Sequence, residues 1–249
     1  QTLRAIAGPD GLILRSPVEL RPDGLTHAGA FTVNAGERVP FVLTWFPSHE
    51  SLPNTVDAEQ ALDDTERFWR EWLQDCHYEG EYPEAVHLSL ITLKALTYAP
   101  TGGIVAAPTT SLPEQIGGPR NWDYRYCWLR DATFTLMALM NAGFTQEALA
   151  WRGWLLRAVG GDPSKAQILY GLGGQRRTPE LELDWLPGYA GSRPVRIGNA
   201  AHEQFQLDVY GEVMDALHQA RAHGLAVDDH AWEFQTNLLD FLEGAWDKP

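Results

Sequence analysis

The sequence predicts a mostly α fold, a series of helices preceded by a short β segment and a connecting helix. Three observations lead there. Apolar and polar residues alternate only within the first 49 positions, helical spacing takes over from residue 58, and the later blocks are separated by Gly, Pro or capping residues.

Within the β segment, Phe31 and Val33, then Val39, Phe41, Leu43 and Trp45, alternate around an Asn34-Ala35-Gly36-Glu37 turn. This pattern predicts a hairpin that buries those side chains on one face. A lone hairpin is too small to be stable, so residues 1–49 are expected to be the C-terminal part of a β-sandwich whose other strands are missing from this chain.

Pro47 to Asn54 read as a linker and Asp57 as a helix cap, and Ala61, Leu62, Thr65, Phe68, Trp69, Trp72 and Leu73 keep helical spacing from Ala58 to Asp75. Residues 50–80 are therefore expected to be a linker with one helix. Beyond it, residues 81–249 read as helix and loop. Pro83 suits a first helical turn and leads into an apolar helix, Ala85 to Tyr98, ended by Pro100. Ala132 to Ala142 stops at Gly143, Thr145 caps a helix to Val159, Ala200 to His223 closes at Gly224, and Asp229 to Gly244 completes the series. The connection 160–199 far exceeds the roughly 15 residues beyond which loops are usually functional or disordered. Leu181, Leu183, Trp185, Leu186 and Tyr189 make it too apolar for disorder, so we expect an ordered loop over one end of the helical array.

Charge and cysteine content exclude several classes. With 19 basic against 33 acidic residues the formal charge is −14, which argues against nucleic acid or an anionic membrane as partner. The most apolar run, Leu88 to Ala99, contains Lys94 and is too short to span a bilayer, and no signal peptide is recognised before the first strand. Cys76 and Cys127 lie in unlike contexts and read as free thiols, so a cytoplasmic location is expected. No metal site is expected: Gln206 stands where a zinc helix opened by His202-Glu203 needs its second ligand, and the remaining histidines show no ligand spacing. The glycines at 171, 173 and 174 lack the lysine of a phosphate loop and read as turn formers.

Two stretches carry the chemistry. Asn121 to Asp131 crowds four aromatic rings, two arginines and two aspartates at a helix entrance. Such a set suits a neutral, hydroxyl-covered ligand such as a sugar, with rings covering C–H faces and charged groups pairing with hydroxyls. It also suits an entry segment whose aromatics pack inward while Arg130 and Asp131 pair or cap. Glu182 to Asn199 mixes arginine, amide, carboxylate and aromatic groups, Trp185 among them, and also precedes a helix. The two stretches are expected to face each other across a pocket.

NWDYRYCWLRDA at 121–132, followed by GYAGSRPVRIGNAAHEQFQLDVYGE at 188–212, resembles the bacterial branch of glycoside hydrolase family 15, the glucoamylase and trehalase-like enzymes. The resemblance covers essentially the whole chain. It implies a β-sandwich domain, a helical linker and an (α/α)6 barrel whose loops bind the non-reducing glucose of an α-glucoside or α-glucan, with no cofactor. Tyr124 and Trp128 match pocket aromatics, and Arg130 and Asp131 match the pair that binds sugar hydroxyls. Arg193 matches a second pocket arginine, and Arg196 and Asn199 lie in the same motif. The stretch around Gly191 and Ser192 lacks a tryptophan that the family's glucoamylases carry there, which favours trehalose or another small α-glucoside.

Family members hydrolyse with inversion, one carboxylic acid protonating the leaving oxygen while a carboxylate on the other face activates water. The family's two catalytic glutamates are expected beyond Pro249, leaving this chain inactive by itself. Glu182 and Asp184 are the internal alternatives. Five barrel helices are expected where the family has twelve, so exposed apolar faces should drive association with a second copy or a missing C-terminal half. A non-catalytic sugar-binding or scaffold module is the rival from another class, and an unrelated helical-barrel enzyme acting on β-glycans or by lyase chemistry is a third.

Overall fold

A computed structural model describes residues 1–247. The chain divides into two compact units, Gln1–Trp72 and the residues from Leu73 onwards. None of the described helices is long and apolar enough to cross a membrane.

The first unit opens with the antiparallel hairpin β1 (Thr2–Ala7) and β2 (Asp10–Arg15), turned at Gly8 in the left-handed region. A small ribbon follows, β3 (Arg21–Asp23) with β4 (Thr26–Ala28). Strand β5 (Val42–Pro47) then returns to pair with β2, giving the order β1-β2-β5. Helix α1 (Ala58–Leu73) starts at Asp57, whose Oδ1 accepts the N–H groups of Glu59 (3.1 Å) and Gln60 (3.2 Å), as the sequence predicts.

The predicted 31–45 hairpin does not form. Residues 31–41 lie outside any strand, although the turn bond from Glu37 N–H to the Asn34 carbonyl is made and the Phe31 and Phe41 rings meet at 5.5 Å. The predicted covered face is inverted as well: Trp45 is 59% exposed and Phe46 only 4%. Cross-strand register explains it. Phe46 stands opposite Gly11, where a Cβ would lie 2.6 Å from its ring, and beside buried Ile13. Leu12, Leu43 and Trp45 share the opposite, solvent-facing side.

The second unit is mostly helical with small two-stranded ribbons between helices. Helix α2 (Pro83–Ala95) stops short of the predicted end at Tyr98, because β6 (Thr97–Tyr98) turns at Gly102 and pairs with β7 (Gly103–Ile104). Strand β8 (Cys127–Trp128) runs straight into α3 (Leu129–Asn141). Helix α4 (Gln146–Val159) begins after Thr145, whose side chain makes no capping bond, contrary to expectation.

The connection 160–199 is ordered by three short strands. Strand β9 (Leu169–Tyr170) pairs with β8, and β10 (Leu181–Glu182) pairs with β11 (Arg196–Ile197). A 3-10 turn at Ala200–Glu203 replaces the predicted start of the next helix, because Asn199 Oδ1 caps that turn at Ala201 N–H (3.0 Å). Helix α5 (Asp208–Ala222) therefore begins later, and α6 (Asp229–Glu243) is capped by Asp228 Oδ1 on Ala231 N–H (2.9 Å).

The core is built where α3, α4 and α5 meet the β8–β9 ribbon. Trp151 and Trp154 stack at 6.5 Å, Trp154 meets the Tyr170 ring edge-on at 6.0 Å, and Trp154 Nε1 donates to the Leu172 carbonyl at 3.0 Å. The indole N–H is thereby satisfied while its ring anchors the long connection onto α4. Inside the same core Lys94 of α2 reaches Glu147 of α4 at 2.6 Å.

Candidate functional site

Elements β8 and α3 position the first group. Trp128 is the residue before the first helical turn, with extended φ/ψ, and Arg130 and Asp131 follow inside that turn. An acidic side chain there is favoured by the helix dipole. Tyr124 lies 5.9 Å from the Trp128 ring, and Tyr126 meets Trp128 edge-on at 6.5 Å. Arg130 Nη1 donates to Asp208 Oδ2 at 3.1 Å and to Gln206 Oε1 at 3.4 Å, so the start of α5 aims the guanidinium. Asp131 sits at an exposed position, yet enough protein crowds it that desolvation raises its pKa above the usual carboxylate value, with Arg130 opposing. Burial and the Glu114 charge raise the Tyr124 phenol, and Asp131 adds to this.

Arg130, Asp131 and Phe134 line a concavity of about 310 Å³ together with Leu93, Leu96 and Val105. An apolar groove of similar volume lies between α2 and α3, lined by Val86, Leu90, Leu93 and Ala138, but no ionisable side chain except Tyr78 reaches it. Recognition of hydroxyl groups needs polar partners, and the first concavity supplies a guanidinium and a carboxylate.

The second motif packs directly onto the first, without the intervening pocket that was expected. Asp123 is fully buried: Oδ1 accepts from Arg125 N–H (3.1 Å) and Nε (2.9 Å), and Oδ2 accepts from Arg125 Nη2 (2.8 Å) and Gly198 N–H (3.1 Å). Its carbonyl accepts from Asn199 Nδ2 at 3.1 Å. Gly198 has φ +79°, and a Cβ there would lie 1.9 Å from the Pro179 carbonyl oxygen, so only glycine fits the junction.

Arg196 is 11% exposed and its guanidinium lies 4.7 Å over the Trp122 ring. Nη1 donates to the Pro119 carbonyl (2.9 Å), Nη2 reaches Glu182 (3.2 Å), and Nε pairs with Glu180 at 3.2 Å. Thr110 and Ser111 hydroxyls donate to its carbonyl, at 2.6 and 3.0 Å. Arg196 Nη1 and Nη2 and the Asn199 side chain thus direct their hydrogen bonds to the protein itself, while Arg196 Nε lies near Glu180 without making a hydrogen bond. Trp185 is 75% exposed, and Arg193 is exposed and pairs with no carboxylate among the described residues.

The structure therefore brings Arg130 and Asp131 to the concavity, buries Trp128 in the core with Tyr124 packed against it, ties Arg196 and Asn199 into the protein, and carries Trp185 and Arg193 on a loop. Asp123, Asp208 and Glu114 were missed as partners. Asp208 shares a sequence neighbourhood with the second motif, but Glu114 lies in a Gly- and Pro-rich stretch that carried no signal beyond a turn. Glu182 is ion-paired with Arg196 and half-exposed. Among the described residues no group of three His, Cys, Asp or Glu side chains could hold a metal ion.

The sequence pattern of Glycosyl hydrolases family 15 matches residues 80–249. The chain is 39% identical to a trehalase of Thermoplasma acidophilum over 201 residues, which cover 81% of the chain and 34% of that protein. It is 35% identical to a trehalase of Mycolicibacterium smegmatis over 258 residues, covering 99% of the chain and 38% of the relative. A trehalase of Mycobacterium tuberculosis is 34% identical over 255 residues, covering 99% of the chain and 37% of the relative. The chain thus spans a little over a third of the length of these relatives. No solved structure matches it significantly. With the family pattern covering both motifs and two thirds of the sequence, the chain belongs to glycosyl hydrolase family 15.

Proposed function

We propose that this chain contributes the sugar-binding half of an enzyme that hydrolyses a terminal α-linked glucose with inversion, trehalose being the favoured substrate. One observation carries the reading: Arg130 and Asp131 open α3 beside Tyr124 and Trp128 and line a concavity of about 310 Å³. The printed names of the relatives, all trehalases, support the substrate.

In this reading the Arg130 guanidinium donates to sugar hydroxyls and the Asp131 carboxylate accepts from them, while Tyr124 and Trp128 cover C–H faces. Trp185 and Arg193 reach the ligand from the 184–194 loop. Hydrolysis with inversion needs a general acid at the leaving oxygen and a base roughly 6.5–9.5 Å away that activates water. We assign both to residues outside this chain, since Glu180 and Glu182 are held by Arg196. Residues 1–49 would be the end of a β-sandwich, 50–80 a helical linker and 81–249 part of an (α/α)6 barrel. The apolar outer face of the β1-β2-β5 sheet supports the first of these assignments.

The test is glucose release from trehalose, maltose and isomaltose, with detection of the anomer formed, by the 249-residue chain and by the longest native polypeptide that contains it. Activity in the longer form alone, releasing one β-glucose at first turnover, is expected. Arg130→Ala or Asp131→Asn should lower kcat/KM about 10- to 100-fold, the effect of losing one or two charge-assisted hydrogen bonds. Turnover by the short chain returns the acid to Glu182 or Asp184, and cleavage of β-linked glucans removes the reading altogether.

A further inference from the structure

We propose that Glu114 is a positioning residue for the sugar pocket, fixing the Tyr124 ring through its hydroxyl. The inference rests on Tyr124 being a pocket wall, as proposed above. Tyr124 OH donates to Glu114 Oε1 at 3.3 Å, and the same carboxylate is held from its other oxygen by Arg120 Nε at 2.6 Å.

The backbone makes this a bracket. Glu114 N–H donates to the Arg120 carbonyl (3.2 Å), and Gly118 N–H to the Gln115 carbonyl (2.9 Å), closing the 114–120 segment on itself. Gly117 N–H donates to Ser192 Oγ at 2.8 Å, which ties the bracket to the second motif. Trp122 adds weakly to the lowering of the Glu114 pKa, and Arg196 lies over the Trp122 ring. Contacts therefore run from Glu114 through Tyr124 to Trp128 at the start of α3.

A phenol ring with a free hydroxyl can rock about its side-chain bonds, and a sugar must then order it on binding. A fixed acceptor removes that motion beforehand, which improves affinity without any new ligand contact. Arg120 chiefly lowers the Glu114 pKa, so the acceptor is charged at neutral pH. A purely structural role would predict little, because the carboxylate is 38% exposed and surface pairs of this kind add little stability.

The experiment uses the longest native polypeptide containing the chain, with variants Glu114→Ala, Glu114→Gln, Tyr124→Phe and the double Glu114→Ala/Tyr124→Phe. With ζ-carbon-labelled tyrosine, the Tyr124 resonance identified by Tyr124→Phe should titrate at lower pH in Glu114→Gln, since the carboxylate raises the phenol pKa. An unmoved titration overturns the contact. KM for trehalose should rise about two- to tenfold in Glu114→Ala and equally in Tyr124→Phe, the loss expected for one side-chain hydrogen bond, with no further rise in the double variant and kcat nearly constant. Additive effects, in a protein that remains sensitive to Trp128→Ala and Arg130→Ala, overturn the positioning role alone. Insensitivity to those last two overturns the pocket reading, and this inference with it.

Discussion

Replacing Asp123 with alanine tests whether one buried carboxylate holds the two motifs together. The substitution removes the acceptor for the buried Gly198 N–H and for three N–H groups of Arg125. An unsatisfied buried donor costs about 1–3 kcal/mol, and hydrogen bonds to a charged group contribute about 1.5–3 kcal/mol each. The Arg125 side chain is 46% exposed and regains water, so its bonds are discounted heavily. About 3 kcal/mol remains, which for a chain of this size lowers Tm by about 6–12 °C. Thermal unfolding followed by far-ultraviolet circular dichroism reads this directly. Arg125→Ala should destabilise as well, because it leaves the fully buried carboxylate without its countercharge. A loss under about 1 kcal/mol for Asp123→Ala would refute the claim that this carboxylate joins the motifs.

Other measurements follow from the same geometry. A maleimide at pH 8 should label one thiol per native chain and two in denaturant, because Cys127 is fully buried with its pKa pushed up to about 12, while Cys76 is partly exposed. Lys94→Met should destabilise by about 2 kcal/mol through the buried Glu147, and Lys94→Met/Glu147→Leu should recover most of it, both read by thermal unfolding. Asp131→Asn should be more stable than the parent at neutral pH. The raised Asp131 pKa means the charged form is penalised by folding, so the parent gains stability as pH falls through that raised value towards 3.8 and the gap closes. Parallel Tm profiles across that window would contradict it. If the same variant loses sugar binding, Asp131 is an acid retained at a cost in stability for the sake of function.

Much of the helical structure was legible because its signals are local. The Asp57 cap, the Gly143 and Gly224 stops and the apolar spacing of α1, α4 and α6 each lie within a few residues of what they determine. The sheet was not. Its central pairing joins β2 to β5 across about thirty residues, and alternation in β5 says only that two faces differ. Gly11, which gives Phe46 somewhere to lie, decides which face is covered. The start of α5 was misread for a related reason: apolar spacing continues through Ala201 and Phe205, but Asn199 caps a single 3-10 turn there.

For the site, the concentration of rings, arginines and aspartates in residues 121–131 was visible without coordinates. Which arginine serves the fold was not. Arg193 and Arg196 stand three positions apart in one motif, yet only Arg196 is clasped by Glu180, Glu182 and Trp122, partners that nothing in the local pattern names. Glu114 was hidden likewise, since its two partners become neighbours only when the 114–120 segment closes on itself.

The 184–191 segment has a consequence for how such a protein can change. Leu183 N–H donates to the Val195 carbonyl at 2.8 Å and Ser192 Oγ accepts from Gly117 N–H, so each end of the segment is bonded to a residue outside it. Doubling the length of a closed loop costs only about 0.6 kcal/mol, so insertions there are cheap. Trp185 and Tyr189, both solvent-facing, sit on that segment. It is an exchangeable cassette: mutation can rewrite it, by drift or by design, while the clasp around Arg196 and Asp123 stays intact.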